Sequence, residues 1–229
     1  YAGAADKLDG RSPDLGGATV AFTSREPVGI TAHIVPWNYP TSTLVRGIAP
    51  ALAAGCSAVV KPAETTPFTA LLLADLLVRA GVPAGVVNVV TGHGSDVGAA
   101  LSSHPGIAKI SFTGSGRTGV MIQKEAADTM KRVTLELGGK GPGIVLPDAP
   151  LELTAKGATF GFLLGSGQIC ISGTRLFVHE SIHDELVARM VELVSKLKAG
   201  SQFDASTTLG PMAYRAHYER VLGYVESGK

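Results

Sequence analysis

Strand-like and helix-like segments alternate along residues 30–137, and this alternation restricts the possible folds more than any other feature of the sequence. Short runs rich in valine and isoleucine are followed by longer helical patterns, and the turns between them contain glycine or proline. Parallel strands need a long crossover between them, usually a helix. The pattern therefore predicts an α/β fold built on a Rossmann-like parallel sheet that is covered on both faces.

The predicted elements fall into two groups separated by Gly138-Gly139. Before these glycines we expect strands over 18–24, 31–35, 57–61, 86–90, 108–113 and 132–137, and helices over 41–54, 67–80, 95–103 and 115–128. After them we expect strands over 143–146 and 175–179, and helices over 151–164, 181–198 and 214–227. The second group lacks closing strands, which suggests a partial chain.

This pattern predicts three segments. Residues 1–30 form an N-terminal connection with a short strand, residues 31–137 form a parallel-sheet domain, and residues 138–229 form an incomplete second α/β domain.

Composition argues against several classes of partner. The chain has 229 residues, 45% of them hydrophobic and 17% charged, with a net charge of +1. We therefore expect neither nucleic acid nor a membrane surface as a partner. The two cysteines, Cys56 and Cys170, form no disulfide framework or zinc-binding pattern, so we expect no metal and a reducing, cytoplasmic location.

Residues Gly114-Ser115-Gly116-Arg117-Thr118-Gly119 match the G-x-G-x-x-G pattern of dinucleotide-binding turns. The motif follows a predicted strand and opens a predicted helix, whose free N–H groups could face a pyrophosphate. An ordinary glycine turn is an equally good interpretation. The usual acidic residue after the next strand is absent, and Glu64 is the alternative candidate for binding a ribose.

Cys170 is the candidate nucleophile, in the loop Gly167-Gln168-Ile169-Cys170. A thiol attacks as its thiolate, and nearby helix ends and backbone N–H groups favour that form. The competing interpretation is a small buried hydrophobic residue, which we adopt for Cys56.

Two other side chains have the chemistry of catalytic groups. Glu136 lies between Leu135 and Leu137, and burial there would suit it to general-base work. It could equally be an outward-facing strand residue. Asn38, between Pro36 and Pro40, could donate to an oxyanion or simply be a turn residue.

Lys61-Pro62-Ala63-Glu64 follows a predicted buried strand. Lys61 and Glu64 could bind ribose hydroxyls or form a solvated charge pair. The six histidines have no metal-like spacing, and we interpret them as structural or solvated.

Together, six segments resemble the aldehyde dehydrogenase superfamily in order and spacing. They are Pro36-Trp37-Asn38-Tyr39-Pro40, Ala49-Pro50-Ala51-Leu52-Ala53-Ala54-Gly55, Lys61-Pro62-Ala63-Glu64, Phe112-Thr113-Gly114-Ser115, Leu135-Glu136-Leu137-Gly138-Gly139-Lys140 and Gly167-Gln168-Ile169-Cys170. The resemblance covers nearly the whole chain.

The resemblance implies NAD(P)-dependent oxidation of an aldehyde to a carboxylic acid. Cys170 would attack the carbonyl, the Asn38 amide and the Cys170 N–H would hold the oxyanion, and Glu136 would activate water to hydrolyse the thioester. The implied cofactor is NAD, with NADP possible, because the charge of Glu64 disfavours a 2′-phosphate. The implied cofactor-binding residues are Pro36, Trp37, Lys61, Glu64, Gly114, Ser115, Gly119 and Leu137.

The resemblance also implies that the strand in residues 1–30 is of the oligomerisation type, that residues 31–137 are the dinucleotide-binding domain, and that residues 138–229 belong to the catalytic domain. For the full-length protein it implies a homodimer or homotetramer. Two alternatives remain: a relative that transfers the acyl group to coenzyme A, and an inactive dinucleotide-binding fragment. The presence of Cys170 together with Glu136 favours hydrolysis over both, because neither alternative needs both groups.

Overall fold

The computed structural model describes all residues from Tyr1 to Lys229. They form two compact units, Tyr1–Leu137 and Gly138–Lys229. None of the helices has the length and apolar character needed to cross a membrane.

The first unit contains a five-stranded sheet with helices between its strands. In chain order the elements are β1 (Ile30–Ile34), α1 (Pro40–Ala53), β2 (Ser57–Lys61), α2 (Phe68–Arg79), β3 (Val87–Val89), α3 (Ala99–Ser103), β4 (Ile107–Gly114), α4 (Gly116–Ala127) and β5 (Arg132–Leu137). The strands are all parallel and lie in the order β3-β2-β1-β4-β5. This confirms the predicted Rossmann-like α/β fold.

Local sequence explains where several of these elements begin and end. Pro40 occupies the first turn of α1, where its missing N–H costs no hydrogen bond. After α1, Gly55 adopts a φ of 76°, and its N–H and that of Cys56 donate to carbonyls in the last turn of the helix. A left-handed residue at this position favours glycine.

Two apolar clusters hold the sheet from opposite faces, since successive strand residues alternate between faces. One cluster joins β1, β4 and β5 to α3 and α4, with Ile110 and Phe112 at its centre. The other packs α1 and α2 on β2 and β3 around Leu44 and Val60. On this second face, β4 and β5 present polar side chains instead, and these line a cavity.

The second unit is built on two parallel strands, β6 (Pro142–Val145) and β7 (Arg175–Val178). Its helices are α5 (Leu151–Leu163), α6 (Glu180–Ser195) and α7 (Arg215–Ser227). Val145, Ala155 and Leu186 form its buried centre, where β6, α5 and α6 meet.

The strand predicted over 18–24 does not form. This segment is largely exposed and makes one isolated antiparallel bridge, between Asp14 and Val20, with a further backbone bond from Thr23 N–H to the Arg11 carbonyl. Gly16 and Gly17 have φ values of 74° and 65°, the left-handed region that favours glycine. The predicted strand is wrong because β-forming residues need a paired neighbour, and here the pairing is broken. An oligomerisation role for residues 1–30 stays a prediction.

Candidate active site

The candidate residues of the first unit gather at the carboxyl edge of the sheet. Lys61 ends β2, Gly114 ends β4 and Leu137 ends β5, while Pro36, Trp37 and Asn38 follow β1. The register pairs Ile34 of β1 with Lys61 and Phe112, and Gly114 with Leu137. Parallel strands bring these ends to one edge, and the strand order reverses between β1 and β4. A crevice at such a reversal is the usual ligand site of open α/β sheets.

Lys61 and Glu64 form an ion pair at this edge in which only Lys61 is buried. The Lys61 side chain is 3% exposed, whereas that of Glu64 is 41% exposed, and Nζ lies 3.3 Å from Oε1. Lys61 Nζ also donates to the Pro62 carbonyl over 2.8 Å. The solvated pair considered from the sequence is therefore excluded for Lys61, and only the carboxylate has a free face toward solvent.

Glu64 also accepts a hydrogen bond from the backbone N–H of Gly94, over 2.6 Å. Partial burial of the carboxyl group would raise its pKa. The backbone bonds from Glu64 itself and Gly94, together with the charge and hydrogen bond of Lys61, outweigh burial and lower the pKa of Glu64 below its ordinary value. Glu64 is thus held as an anion in a fixed orientation.

The glycine motif forms the turn between β4 and α4. Ser115 is the N-cap of α4, and its Oγ accepts a hydrogen bond from the Thr118 N–H over 3.2 Å. A Cβ at Gly114 would lie 2.4 Å from the Phe112 ring, and one at Gly119 would lie 2.9 Å from Leu137 Cδ2. A Cβ at Gly116 would meet nothing within 4 Å. The first and last glycines therefore permit tight packing, while the middle one leaves open space at the helix N-terminus.

The segment after β1 extends the sheet before it turns into α1. The Val35 N–H donates to the Lys61 carbonyl over 2.9 Å, and Pro36 is buried beside it. Trp37 and Asn38 are partly buried in the bend that precedes Pro40. Asn38 therefore occupies a short, constrained segment between a strand and a helix, as the two prolines predicted.

Glu136 is exposed, so of the two alternatives considered from the sequence the structure favours the outward-facing strand residue over the buried one. Leu135 packs against the apolar cluster of β1, β4 and β5, and alternation turns Glu136 to the opposite, polar face. There it lines a cavity of about 390 Å³ with His33, Lys109 and Thr113. Thr113 is its cross-strand partner.

His33 forms part of the same cavity and is 4% exposed. Its Nε2 lies 2.9 Å from Thr31 Oγ1, and that hydroxyl donates to the Ser57 carbonyl over 3.0 Å. With its proton committed to Ser57, the Thr31 oxygen accepts from Nε2, so Nδ1 is the unprotonated nitrogen. Burial, and secondarily the charge of Lys109, lower the pKa of His33 to about 4. His33 is therefore a neutral histidine at neutral pH.

Cys170 belongs to the second unit. It is exposed, whereas Cys56 is buried at 5% exposure. A short 3₁₀ turn, Leu164–Gly167, leads from α5 toward Cys170, and Gly165 and Ser166 within it adopt left-handed backbone angles. Cys170 is thus the accessible thiol of the chain, which meets the first requirement for a nucleophile.

Three residues of the candidate site were not identified from the sequence. Gly94, 30 residues after Glu64, donates a hydrogen bond to it. His33 and Lys109 line the cavity beside Glu136. The contact of Gly94 is tertiary and has no local signal. The polar face of the sheet did have a local sequence signal, because Lys109, Ser111 and Thr113 alternate with apolar residues along β4.

Comparison with known proteins gives a match over the whole chain. The model of the aldehyde dehydrogenase family matches residues 1–229. A hydroxyisobutyraldehyde dehydrogenase of Mycolicibacterium austroafricanum is 50% identical over 229 residues, covering 100% of this chain and 45% of that protein. Retinaldehyde dehydrogenase 3 of Mus musculus is 46% identical over 230 residues, again 45% of that protein.

Solved structures agree with the sequence comparison. The NAD+ complex of an aldehyde dehydrogenase from Bacillus cereus superposes with a TM-score of 0.98 at 42% identity, covering 100% of this chain and 46% of that one. An NAD-dependent aldehyde dehydrogenase from Sinorhizobium meliloti gives a TM-score of 0.97 at 42% identity, covering 99% and 45%. The chain spans about half the length of the relatives it matches.

Proposed function

The chain belongs to the aldehyde dehydrogenase family, and we propose that the protein containing it oxidises an aldehyde to a carboxylic acid with NAD. The observation that carries this proposal is the accessible thiol of Cys170 in a chain whose family match is unbroken from residue 1 to residue 229. The relatives include enzymes named for hydroxyisobutyraldehyde and retinaldehyde.

Cys170 acts as the nucleophile in this proposal. Its thiolate forms a bond to the carbonyl carbon, and the carbonyl oxygen becomes an oxyanion. The Asn38 side-chain amide and the Cys170 backbone N–H donate hydrogen bonds to that oxygen. Donors of this type are each worth on the order of 3 kcal/mol in the transition state.

The carboxyl edge of the first unit fits a dinucleotide. The exposed face of the Glu64 carboxylate can accept hydrogen bonds from ribose hydroxyls, and Lys61 fixes its position. The open space at Gly116 and the N–H groups that begin α4 suit a pyrophosphate. We assign Pro36, Trp37, Gly114, Ser115, Gly119 and Leu137 to the same site. Bound NAD supplies the hydride acceptor that the oxidation requires.

NAD is preferred over NADP in this proposal because Glu64 is an anion. A 2′-phosphate would lie near this negative charge, with no arginine identified to neutralise it. Relatives support the preference, since one of the solved structures is an NAD+ complex.

Glu136 is the proposed general base for releasing the product. Its carboxylate accepts a proton from a water molecule, whose oxygen then attacks the thioester carbon. The C–S bond breaks, and the carboxylic acid leaves as Cys170 regains its thiolate. The exposure of Glu136 and the cavity beside it support this role, since both allow water to reach the carboxylate.

The test is a pair of substitutions in the protein that contains this chain, assayed by NADH absorbance against aliphatic, aromatic and amino aldehydes. Cys170→Ala should abolish NADH formation and leave NAD binding intact, while Cys56→Ala serves as the control for the loss of a thiol elsewhere. Full activity of Cys170→Ala would exclude the proposal.

Glu136→Gln tests the hydrolytic step separately. The expected result is a burst of NADH equal to the active sites, followed by slow turnover as thioester accumulates. If wild type and variant both turn over slowly without coenzyme A and both become fast when it is added, the acyl-transferring alternative is the correct one. If the wild type forms no NADH with any aldehyde yet binds NAD, the chain belongs to an inactive dinucleotide-binding protein.

A further inference from the structure

The turn before Cys170 has an unusual backbone. Gly165, Ser166 and Gly167 have φ values of 59°, 58° and 75°, so three consecutive residues are left-handed. Glycine adopts this conformation freely, but Ser166 has a Cβ that disfavours it. A strained non-glycine residue persists only where its surroundings hold it.

Two side chains hold this turn against the segment Gly210–Ala213. Ser166 Oγ donates to the Gly210 carbonyl over 2.8 Å. Gln168 uses both ends of its amide: Nε2 donates to the Gly165 carbonyl over 2.9 Å, and Oε1 accepts from the Ala213 N–H over 2.9 Å. Both residues thus join the turn to chain more than 40 residues away.

The position of Cys170 depends on this fastening because it lies only two residues beyond Gln168. After Cys170, the Ser172 N–H donates to the Ile169 carbonyl, which closes a tight turn, and the Gly173 N–H donates to the Gly161 carbonyl of α5 over 3.3 Å. The loop that carries the exposed thiol is therefore held on both sides, and the side before Cys170 is the one held by side chains. A shift of about 1 Å in a reacting group can cost about 100-fold in rate.

We infer that Ser166 and Gln168 are positioning residues for Cys170, fastening its loop to Gly210–Ala213 so that the thiol is presented in one orientation. The inference rests on the proposed function, in which Cys170 is the nucleophile. It adds two residues that touch neither substrate nor cofactor.

The test uses Ser166→Gly and Gln168→Ala in the protein that contains this chain. Ser166→Gly removes the hydroxyl while relieving the backbone strain, so a loss of activity cannot be attributed to an unfavourable residue in the turn. Ser166→Asn is the rescue variant, because asparagine tolerates left-handed angles and offers an amide donor. Ser195→Gly is the matched control, since Ser195 Oγ donates to the Glu192 carbonyl over the same 2.8 Å within its own helix, α6.

Two readouts are compared: kcat and KM for the dehydrogenase reaction, and the rate of Cys170 alkylation by iodoacetamide as a function of pH. We expect Ser166→Gly and Gln168→Ala to lower kcat and the alkylation rate about tenfold. The KM for NAD should be unchanged, Ser166→Asn should restore most of the loss, and Ser195→Gly should behave as wild type.

Two results would overturn the inference. One is wild-type kcat and alkylation in both Ser166→Gly and Gln168→Ala. The other is a loss that matches the unfolded fraction measured by urea titration, since that would indicate a purely structural role. Alkylation needs no aldehyde chemistry, so the inference can be judged even if activity in Cys170→Ala has excluded the proposed function.

Discussion

Lys61 and Glu64 are joined by a 3.3 Å contact in which the cation is buried and the anion is half exposed. A buried charge is stable only with partners, and Lys61 has the Glu64 carboxylate and the Pro62 carbonyl. The pair therefore fixes a carboxylate at the carboxyl edge of the sheet with one face left open.

The charge of Glu64 should control the choice between NAD and NADP. Glu64→Gln keeps an oxygen that accepts from Lys61 and Gly94 but removes the negative charge. We expect affinity for NADP relative to NAD to rise about tenfold, which corresponds to ~1.4 kcal/mol. The measurement is the ratio of the two Kd values, with Asp75→Asn as a control for an exposed acid elsewhere on the unit. An unchanged ratio in Glu64→Gln would place the 2′-hydroxyl away from this carboxylate.

Two neighbouring glycines should respond to alanine in opposite ways. In Gly114→Ala the new Cβ would lie 2.4 Å from the buried Phe112 ring, and overpacking of this kind costs about 1–3 kcal/mol of unfolding free energy. Gly116→Ala meets no neighbour within 4 Å, so the unfolding free energy should hold or rise. Its effect should appear as weaker dinucleotide binding. Urea unfolding measures the effect on stability, and NAD titration measures the effect on binding. Equal destabilisation of both variants would contradict the packing seen at Gly114.

His33 should make the first unit less stable in mild acid. The folded state keeps the pKa of His33 at about 4, whereas an unfolded histidine has a value near ~6.5. Above the unfolded value the two states bind equal numbers of protons. As pH falls from 6.5 to 4 the unfolded chain gains the proton first, so up to about 3 kcal/mol of stability is lost.

The substitution His33→Gln checks this expectation, because glutamine does not titrate. The slope of unfolding free energy against pH between 4 and 6.5 should decrease in this variant, while the exposed His93→Gln should retain it. The same cavity is lined by other ionisable residues, namely Glu26, Arg46, Lys109 and Glu136. These residues are left unmutated in both variants. An identical slope in wild type and His33→Gln would show that another group is responsible.

The two thiols should differ sharply in reactivity. Cys170 is exposed and Cys56 is buried, so iodoacetamide should modify one thiol in the native protein and two in denaturant. Peptide mapping should locate the native adduct at Cys170, with Cys56 reacting at least about 100-fold more slowly because its side chain is almost fully buried. Comparable native rates at both positions would be inconsistent with the packing of Cys56.

The sequence predicted the sheet well because its signals are local. The strands 57–61 and 132–137 have the predicted bounds, and most other elements fall within about three residues of prediction. The helix α3 begins at Ala99, four residues after the predicted start, because Gly94–Gly98 form a π-helical turn. Apolar runs between glycine turns are enough to identify such elements. The exception, 18–24, has strand-forming residues but lacks a continuous partner, which no local pattern reveals.

The site was less predictable because it depends on tertiary contacts. Period-two alternation indicated that Leu135 and Glu136 face opposite sides, yet it could not tell which side is covered. The exposure of Glu136 and the burial of Lys61 are properties of the packed sheet. The contact of Gly94 with Glu64 spans 30 residues, and the link from Gln168 to Ala213 spans 45.

Because the strands of the first unit all run in one direction, the residues of its apolar core are separate from the polar residues at the carboxyl edge of the sheet. Ile110, Leu44 and Val60 lie within the strands and helices, while Asn38, Glu64 and Ser115 lie in loops beyond one edge. Exchange of those loop side chains leaves the apolar interior untouched. Nucleotide preference can therefore be altered by engineering, or diverge among homologues, without rebuilding the scaffold that displays it.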